Sequence, residues 1–206
     1  MVKPQCGPEQ RRYFADDRIH ILCIGKYEMR KHHLMLLRVV EKLKDKYRLH
    51  VTLVGEATNR FQKEYCEQVR QYVREHHMED MAVVKTNIAR RDMEREYLAA
   101  DLYVIPSTLE MASVSQLEAM SYSLPVIVSD TNGTACYVEE GVTGLWFQDC
   151  REEDLLEKMD EMLKNRNRML QMGAAGYRAV AEKYNFETYY ETIMGMWERI
   201  VREHLY

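Results

Sequence analysis

Residues 107–134 read STLEMASVSQLEAMSYSLPVIVSDTNGT. They follow an apolar run at 102–105 and contain the next one at 126–128, with an amphipathic stretch, 113–121, between the two. Short Val/Ile/Leu runs bounded by Pro, Ser and Asp and joined through a helical stretch are the pattern of strands buried on both faces of a parallel sheet. This unit sets the fold class as α/β.

The pattern repeats on either side. Further strands are expected at 19–24, 50–54, 81–84 and 144–147, and further helices at 31–47, 61–76, 91–100 and, briefly, 134–139. The expectation is a doubly wound, Rossmann-like parallel six-stranded sheet with helices on both faces. After residue 150 the strand pattern stops, and 152–163, 166–183 and 186–203 read as a helical C-terminal extension. Its last helix carries Tyr189, Tyr190, Ile193, Trp197, Ile200 and Val201 at helical spacing, an apolar stripe suited to a core or to a docking face. Residues 1–18, charged and broken by Pro4, Gly7 and Pro8, read as a linker or tail, which leaves 19–206 as one domain that includes the helices of 152–206.

At 206 residues and 46% hydrophobic the chain is long enough to bury its own core. Its 29 Lys and Arg against 33 Asp and Glu give a net charge of −4, which supplies no global attraction for nucleic acid or an acidic membrane. An anionic ligand must therefore be held locally. The five cysteines are scattered, without a C-x-x-C pair or a histidine at metal-ligand spacing, so neither a disulfide framework nor a metal site is expected and the setting reads as reducing and cytoplasmic. No apolar run approaches the roughly 18 residues of a membrane span. His32, His33, His76 and His77 read as surface residues, and Cys136 as a packed thiol.

Open parallel sheets bind ligands beyond the carboxyl ends of their strands, where the loop 106–113 must lie. A helix starting near Ser113 presents the free N–H groups of Ser113, Val114 and Ser115 to that crevice and can hold a phosphate without net basic charge. Ser115 and Glu118 share a helix face at i, i+3 spacing, and a carboxylate, which only accepts hydrogen bonds, suits a vicinal diol such as ribose. Glu110 on the loop would reach hydroxyls at the other end of the phosphate. Taken alone, two glutamates eight apart also read as solvated surface acids. A second station, Gly25-Lys26 with Lys31, closes the first strand and places two cations near the same anion.

These residues, together with Val54-Gly55-Glu56, EREYLAAD at 94–101, LEAM, LPVIVSD, Asn132-Gly133 and EGVTG at 140–144, form an ordered series. From residue 19 to about 200 the chain resembles the C-terminal, donor-binding half of retaining GT-B glycosyltransferases, the glycosyl transferases group 1 (family 4). The resemblance implies a donor-binding half that transfers a hexosyl group from a nucleotide-diphosphate sugar, of UDP or GDP type, with no resident metal or cofactor. It also implies that the acceptor, a glycan or lipid-linked molecule, is bound by a separate N-terminal domain, that the chain is inactive without that domain, and that any membrane contact comes through it. Carried over by position, Lys26 and Lys31 hold the donor diphosphate with Gly25, and Glu118 binds the ribose. Glu110 is the catalytic carboxylate at the transferred sugar, beside Met111 and Ala112, and Thr86, Asn87 and Ile88 frame the base. Two departures stand out: Glu110-Met111-Ala112-Ser113 where the family has Glu-Gly-Phe-Gly, and Lys31-His32 where it has Lys-Gly. The first of these, together with the missing acceptor half, motivates an alternative, a catalytically inactive glycosyltransferase-like binding or scaffold module.

Overall fold

The computed structural model describes residues 2 to 204; Met1, Leu205, Tyr206 and the side chain of His204 lie outside the described residues. Six strands, β1 (Ile19–Ile24), β2 (Leu49–Gly55), β3 (Ala82–Thr86), β4 (Leu102–Ile105), β5 (Val126–Ser129) and β6 (Gly144–Phe147), form one parallel sheet in the order β3-β2-β1-β4-β5-β6. The helices are α1 (His33–Leu43), α2 (Arg60–Glu75), α3 (Met93–Ala99), α4 (Val114–Ser121), α5 (Glu152–Leu163), α6 (Arg166–Glu182) and α7 (Phe186–His204). The doubly wound expectation holds, and the strand order reverses between β1 and β4.

Alternation along the strands divides the core in two. Ile21, Cys23, Val51, Leu53, Leu102 and Val104 face one side with Leu36, Val40, Val69, Leu155 and Met159. Leu22, Val54, Tyr103, Ile105, Val126 and Val128 face the other with Tyr97, Leu117, Met120 and Val180. Every residue of β4 is buried, so a Leu→Ala change at Leu102 costs about 2–5 kcal/mol. β4 is the rigid stem of the loop that carries Glu110.

Several boundaries move for identifiable reasons. The first helix, expected from residue 31, is preceded by a 3₁₀ turn, Met29–Lys31, and starts at His33 because His32 adopts a left-handed conformation, φ 52°. α2 opens with a reciprocal cap in which Asn59 accepts from the Gln62 N–H and Gln62 reaches back. The stretch expected as a short helix at 134–139 is a 3₁₀ turn, Ala135–Tyr137.

The segment read as a tail has no helix or strand but is docked as a strap. Buried Arg11 donates to the carbonyls of Tyr97, Ala100 and Tyr122. Tyr13 donates to Ser123 O, and the N–H groups of Gln5 and Cys6 both reach Ser121 O. Two further readings are corrected. His33 is fully buried, stacked on Tyr27 with ring centroids 4.9 Å apart, because the break at His32 turns it onto the core face. Cys136 is exposed on the 3₁₀ turn rather than packed.

Candidate functional site

The loops after β1, β2, β3 and β4 meet at the carboxyl edge of the sheet, at the point where its order reverses. Glycine makes the approach feasible. A Cβ on Gly55 would lie 2.1 Å from Gly25 O, and one on Gly133 would lie 2.2 Å from Met111 O, so both positions exclude any side chain. The Gly133 N–H donates to Glu110 O at 2.6 Å and pins the β4 loop to the loop after β5.

Three groups converge there. The first is an ion cluster in which the Glu110 carboxylate accepts from Lys31 Nζ and, at 3.0 Å, from Arg30. Lys31 and Glu110 are 9% and 13% exposed. Burial alone would raise the Glu110 pKa, but the hydrogen bond and charge of Lys31, then those of Arg30, outweigh it and hold the carboxyl below its usual range. Lys31 is thus brought to Glu110 rather than to Lys26, which is exposed and paired with Glu56 at 3.3 Å.

The second is the start of α4. Ser113 is its N-cap and makes no side-chain cap bond, so its hydroxyl does not satisfy the first N–H groups. The Ser113 and Ser115 hydroxyls are instead linked at 2.9 Å, and Ser115 to Tyr103 at 2.7 Å. Ser115 therefore points toward the sheet and Val114 outward to solvent.

The third is a pair of neighbouring cavities. One, of about 480 Å³, is lined by Gly25, Lys26, Gly55, Glu56, Asn87 and Ile88. The other, of about 490 Å³, is lined by Arg90, Arg91, Tyr97, Val114 and Glu118. Met93 borders both. Asn87, at φ 54°, accepts the Ala57 N–H at 3.0 Å and so ties the β3 loop to the β2 loop. Glu118 accepts from the Tyr97 hydroxyl at 2.7 Å, and Tyr97 stacks on Tyr122. Burial first, then the neighbouring Tyr103 phenol and the Glu118 carboxylate, push the Tyr97 phenol far above its usual range, so it remains a donor and holds Glu118 in place.

Gly25, Lys26, Asn87 and Ile88 thus share one cavity, and Glu118 and Val114 the next, while Thr86 lines a separate depression with Ala57, Lys63 and Arg70. Met111 and Ala112 are exposed, Met111 to 90%. The backbone of the Glu110-Met111-Ala112-Ser113 segment holds no positive φ; the left-handed residue is Leu109, φ 46°. The backbone conformation accordingly does not require glycine at Met111 or Ser113. Sequence reading missed Arg30, Met93 and Tyr97. Tyr97 stands in the EREYLAAD motif, which was the available signal.

The glycosyl transferases group 1 family model matches residues 9–179, a span that includes part of the strap and all three groups. The uncharacterized glycosyltransferase MJ1607 of Methanocaldococcus jannaschii is 25% identical over 173 residues, covering 84% of this chain and 43% of the relative. The C-terminal domain of a glycosyl transferase group 1 family protein (LpcC) from Francisella tularensis superposes with a TM-score of 0.75 at 17% identity, covering 88% of this chain and all of that one. Anabaena Alr3699/HepE, solved in complex with UDP-glucose, gives a TM-score of 0.78 at 16% identity over 89% of this chain and 49% of its own. The chain spans less than half the length of MJ1607. With the family model covering most of its residues, the chain belongs to the glycosyl transferases group 1 family, and its superposition on these neighbours gives it the fold of a GT-B C-terminal domain.

Proposed function

We propose that the chain is the donor-binding half of a retaining glycosyltransferase. It holds a nucleotide-diphosphate sugar, of UDP or GDP type, and presents its hexosyl group to a glycan or lipid-linked acceptor bound across the crevice by a second domain. The observation that carries this reading is the meeting, at one sheet edge, of an uncapped helix start, a buried lysine–glutamate pair and two adjoining cavities.

Each part has a distinct task. The base enters between Asn87 and Ile88, and the ribose diol donates to Glu118, already oriented by Tyr97. The diphosphate lies on the first N–H groups of α4, from Ser113 to Ser115, where the helix end favours negative charge. Lys31 then turns from Glu110 to the phosphate, with Lys26 completing the neutralisation beside Gly25. Glu110, released, accepts from hydroxyls of the sugar beside the Met111-Ala112 backbone. When the bond from the anomeric carbon to the β-phosphate oxygen breaks, its electron pair leaves with the nucleoside diphosphate, the acceptor hydroxyl oxygen bonds the anomeric carbon on the same face, and its proton passes to the departing phosphate oxygen. Lys31 and the helix end stabilise the charge that grows there. Charge neutralisation by these groups asks for no cofactor.

Titration calorimetry of the chain against UDP, GDP and ADP tests this. One nucleotide should bind saturably, and Glu118→Gln should weaken it roughly tenfold or more, since hydrogen bonds to a charged acceptor contribute about 1.5–3 kcal/mol. Unchanged affinity in the folded variant would remove Glu118 from the site. The absence of binding by any of the three would remove the donor reading.

A further inference from the structure

Outside these three groups, the described residues hold one mixed set of metal-ligating side chains. His32, between the 3₁₀ turn and α1, lies with Asp149 and Cys150, between β6 and α5, so that one donor atom from each falls within 4.8 Å of the others. The residues are 117 and 118 positions apart in the sequence, which is why ligand spacing gave no sign of them. Cys150 Sγ stands 3.7 Å from His32 Nε2. With zinc–sulfur bonds of about 2.3 Å and zinc–nitrogen bonds of about 2.0–2.1 Å, tetrahedral angles put those two atoms about 3.5 Å apart.

The carboxylate supplies an independent observation. Asp149 Oδ2 accepts from the hydroxyls of Thr108 and Thr131, while Oδ1 is buried and has no hydrogen-bond partner. A buried, unpaired carboxylate oxygen carries a desolvation cost that a bound cation removes. The donor chemistry narrows the ion: a thiolate with an imidazole and a carboxylate suits zinc-class ions and disfavours magnesium or calcium. One thiolate and one carboxylate also balance a double positive charge, against the opposing positive end of α1.

We propose that His32, Asp149 and Cys150 bind a zinc-class divalent ion, with the fourth coordination position open to solvent beside the exposed Cys150. The ion joins the start of α1 to the loop after β6 and, through Thr108, to the loop after β4. It therefore fixes the spacing of Lys31 and Glu110, which neighbour His32 and Thr108 in the chain. It is a positioning ion and touches no atom of the nucleotide sugar.

The test is titration of the whole chain with Co²⁺, followed by displacement with Zn²⁺. One ion per chain is expected, with thiolate-to-cobalt charge-transfer absorption that Zn²⁺ abolishes. Cys150→Ser should remove the absorption. His32→Asn, which tolerates the left-handed backbone at that position, should weaken affinity by more than about tenfold. Cys136→Ser, at the other exposed cysteine, should change neither. Circular dichroism checks that each variant is folded. No saturable ion, an absorption that survives Cys150→Ser, or one that is lost with Cys136→Ser overturns the site, and none of these outcomes bears on nucleotide binding.

Discussion

One carboxylate, one buried lysine and one buried histidine set the behaviour of this chain at the scale of single residues. Glu110 both neutralises Lys31 and faces the place proposed for the diphosphate, so it opposes a nucleoside diphosphate that brings no sugar to offset it. Glu110→Gln is therefore expected to tighten binding of the free nucleoside diphosphate several-fold while abolishing the extra affinity of its sugar conjugate. Lys31→Met should weaken both by about tenfold or more, because a charge-assisted bond to phosphate is lost in each. Parallel calorimetric titrations of the two variants separate these patterns. His33 makes a second prediction, about pH. Burial, then the charge of Lys31, pushes its pKa down to about 3, and neither ring nitrogen has a partner. Between that value and the ordinary 6.5 the unfolded chain binds the extra proton, so stability rises with pH across this window and falls on acidification. The slope approaches about 1.4 kcal/mol per pH unit in mid-window. His33→Phe should remove that share of the slope in urea midpoints measured from pH 7 to pH 4, and an unchanged profile would show that His33 titrates alike in the folded and unfolded chain.

At the scale of elements, the strap from Val2 to Arg18 does what no helix does here, since it clamps the C-terminal ends of α3 and α4 together. Arg11 satisfies three carbonyls at those ends, and the two helices carry Tyr97 and Glu118. Arg11→Met leaves the three carbonyls to find other partners and should cost about 2–4 kcal/mol in urea unfolding. It should also weaken nucleotide binding, because the Tyr97 to Glu118 bond depends on the spacing of α3 and α4. A loss of stability with full affinity would show that the strap is a staple only. The strap also marks the limit of what the sequence discloses. Strands announced themselves through runs such as Leu102–Ile105, whose burial on both faces leaves a composition that few helices share. Residues 1–18 carry no such periodicity, and their order comes from backbone carbonyls of distant segments, which leave no trace in composition. The same holds at the site. The Glu118 position was legible because a helix start and a fixed spacing define it, whereas the Lys31 to Glu110 pair joins residues 79 apart and exists only once β1 and β4 are neighbours. His33 was misread because the left-handed backbone at His32 rotates the helix that follows, a local choice that adjacent histidines do not reveal.

For the whole molecule, the question is what the last helix is for. α7 begins after Asn185, and Phe186, Tyr189, Tyr190, Ile193, Met194, Met196 and Trp197 along it are all exposed, Trp197 to 62%. A monomer seldom leaves so many large apolar side chains on one helix in water. The chain accounts for 43% of the length of MJ1607 and 49% of the HepE chain, and the proposed function calls for a second domain across the crevice. On the proposed function, α7 would be the apolar face that such a domain covers. If so, the exposed residues add little to this domain's own stability, since surface substitutions away from packed features change it by about 0.5 kcal/mol or less. Ile193→Ser with Trp197→Ser should leave the thermal midpoint and nucleotide affinity of the chain essentially unchanged. The same double variant should lose affinity for an acceptor domain supplied in trans, and the sugar transfer that depends on it, by an order of magnitude or more, as expected when an apolar anchor is removed from the centre of an interface. The two measurements answer different questions. A lowered midpoint would place α7 in this domain's own core, and unchanged association with a retained midpoint would mean that the acceptor side is held elsewhere, on the crevice itself.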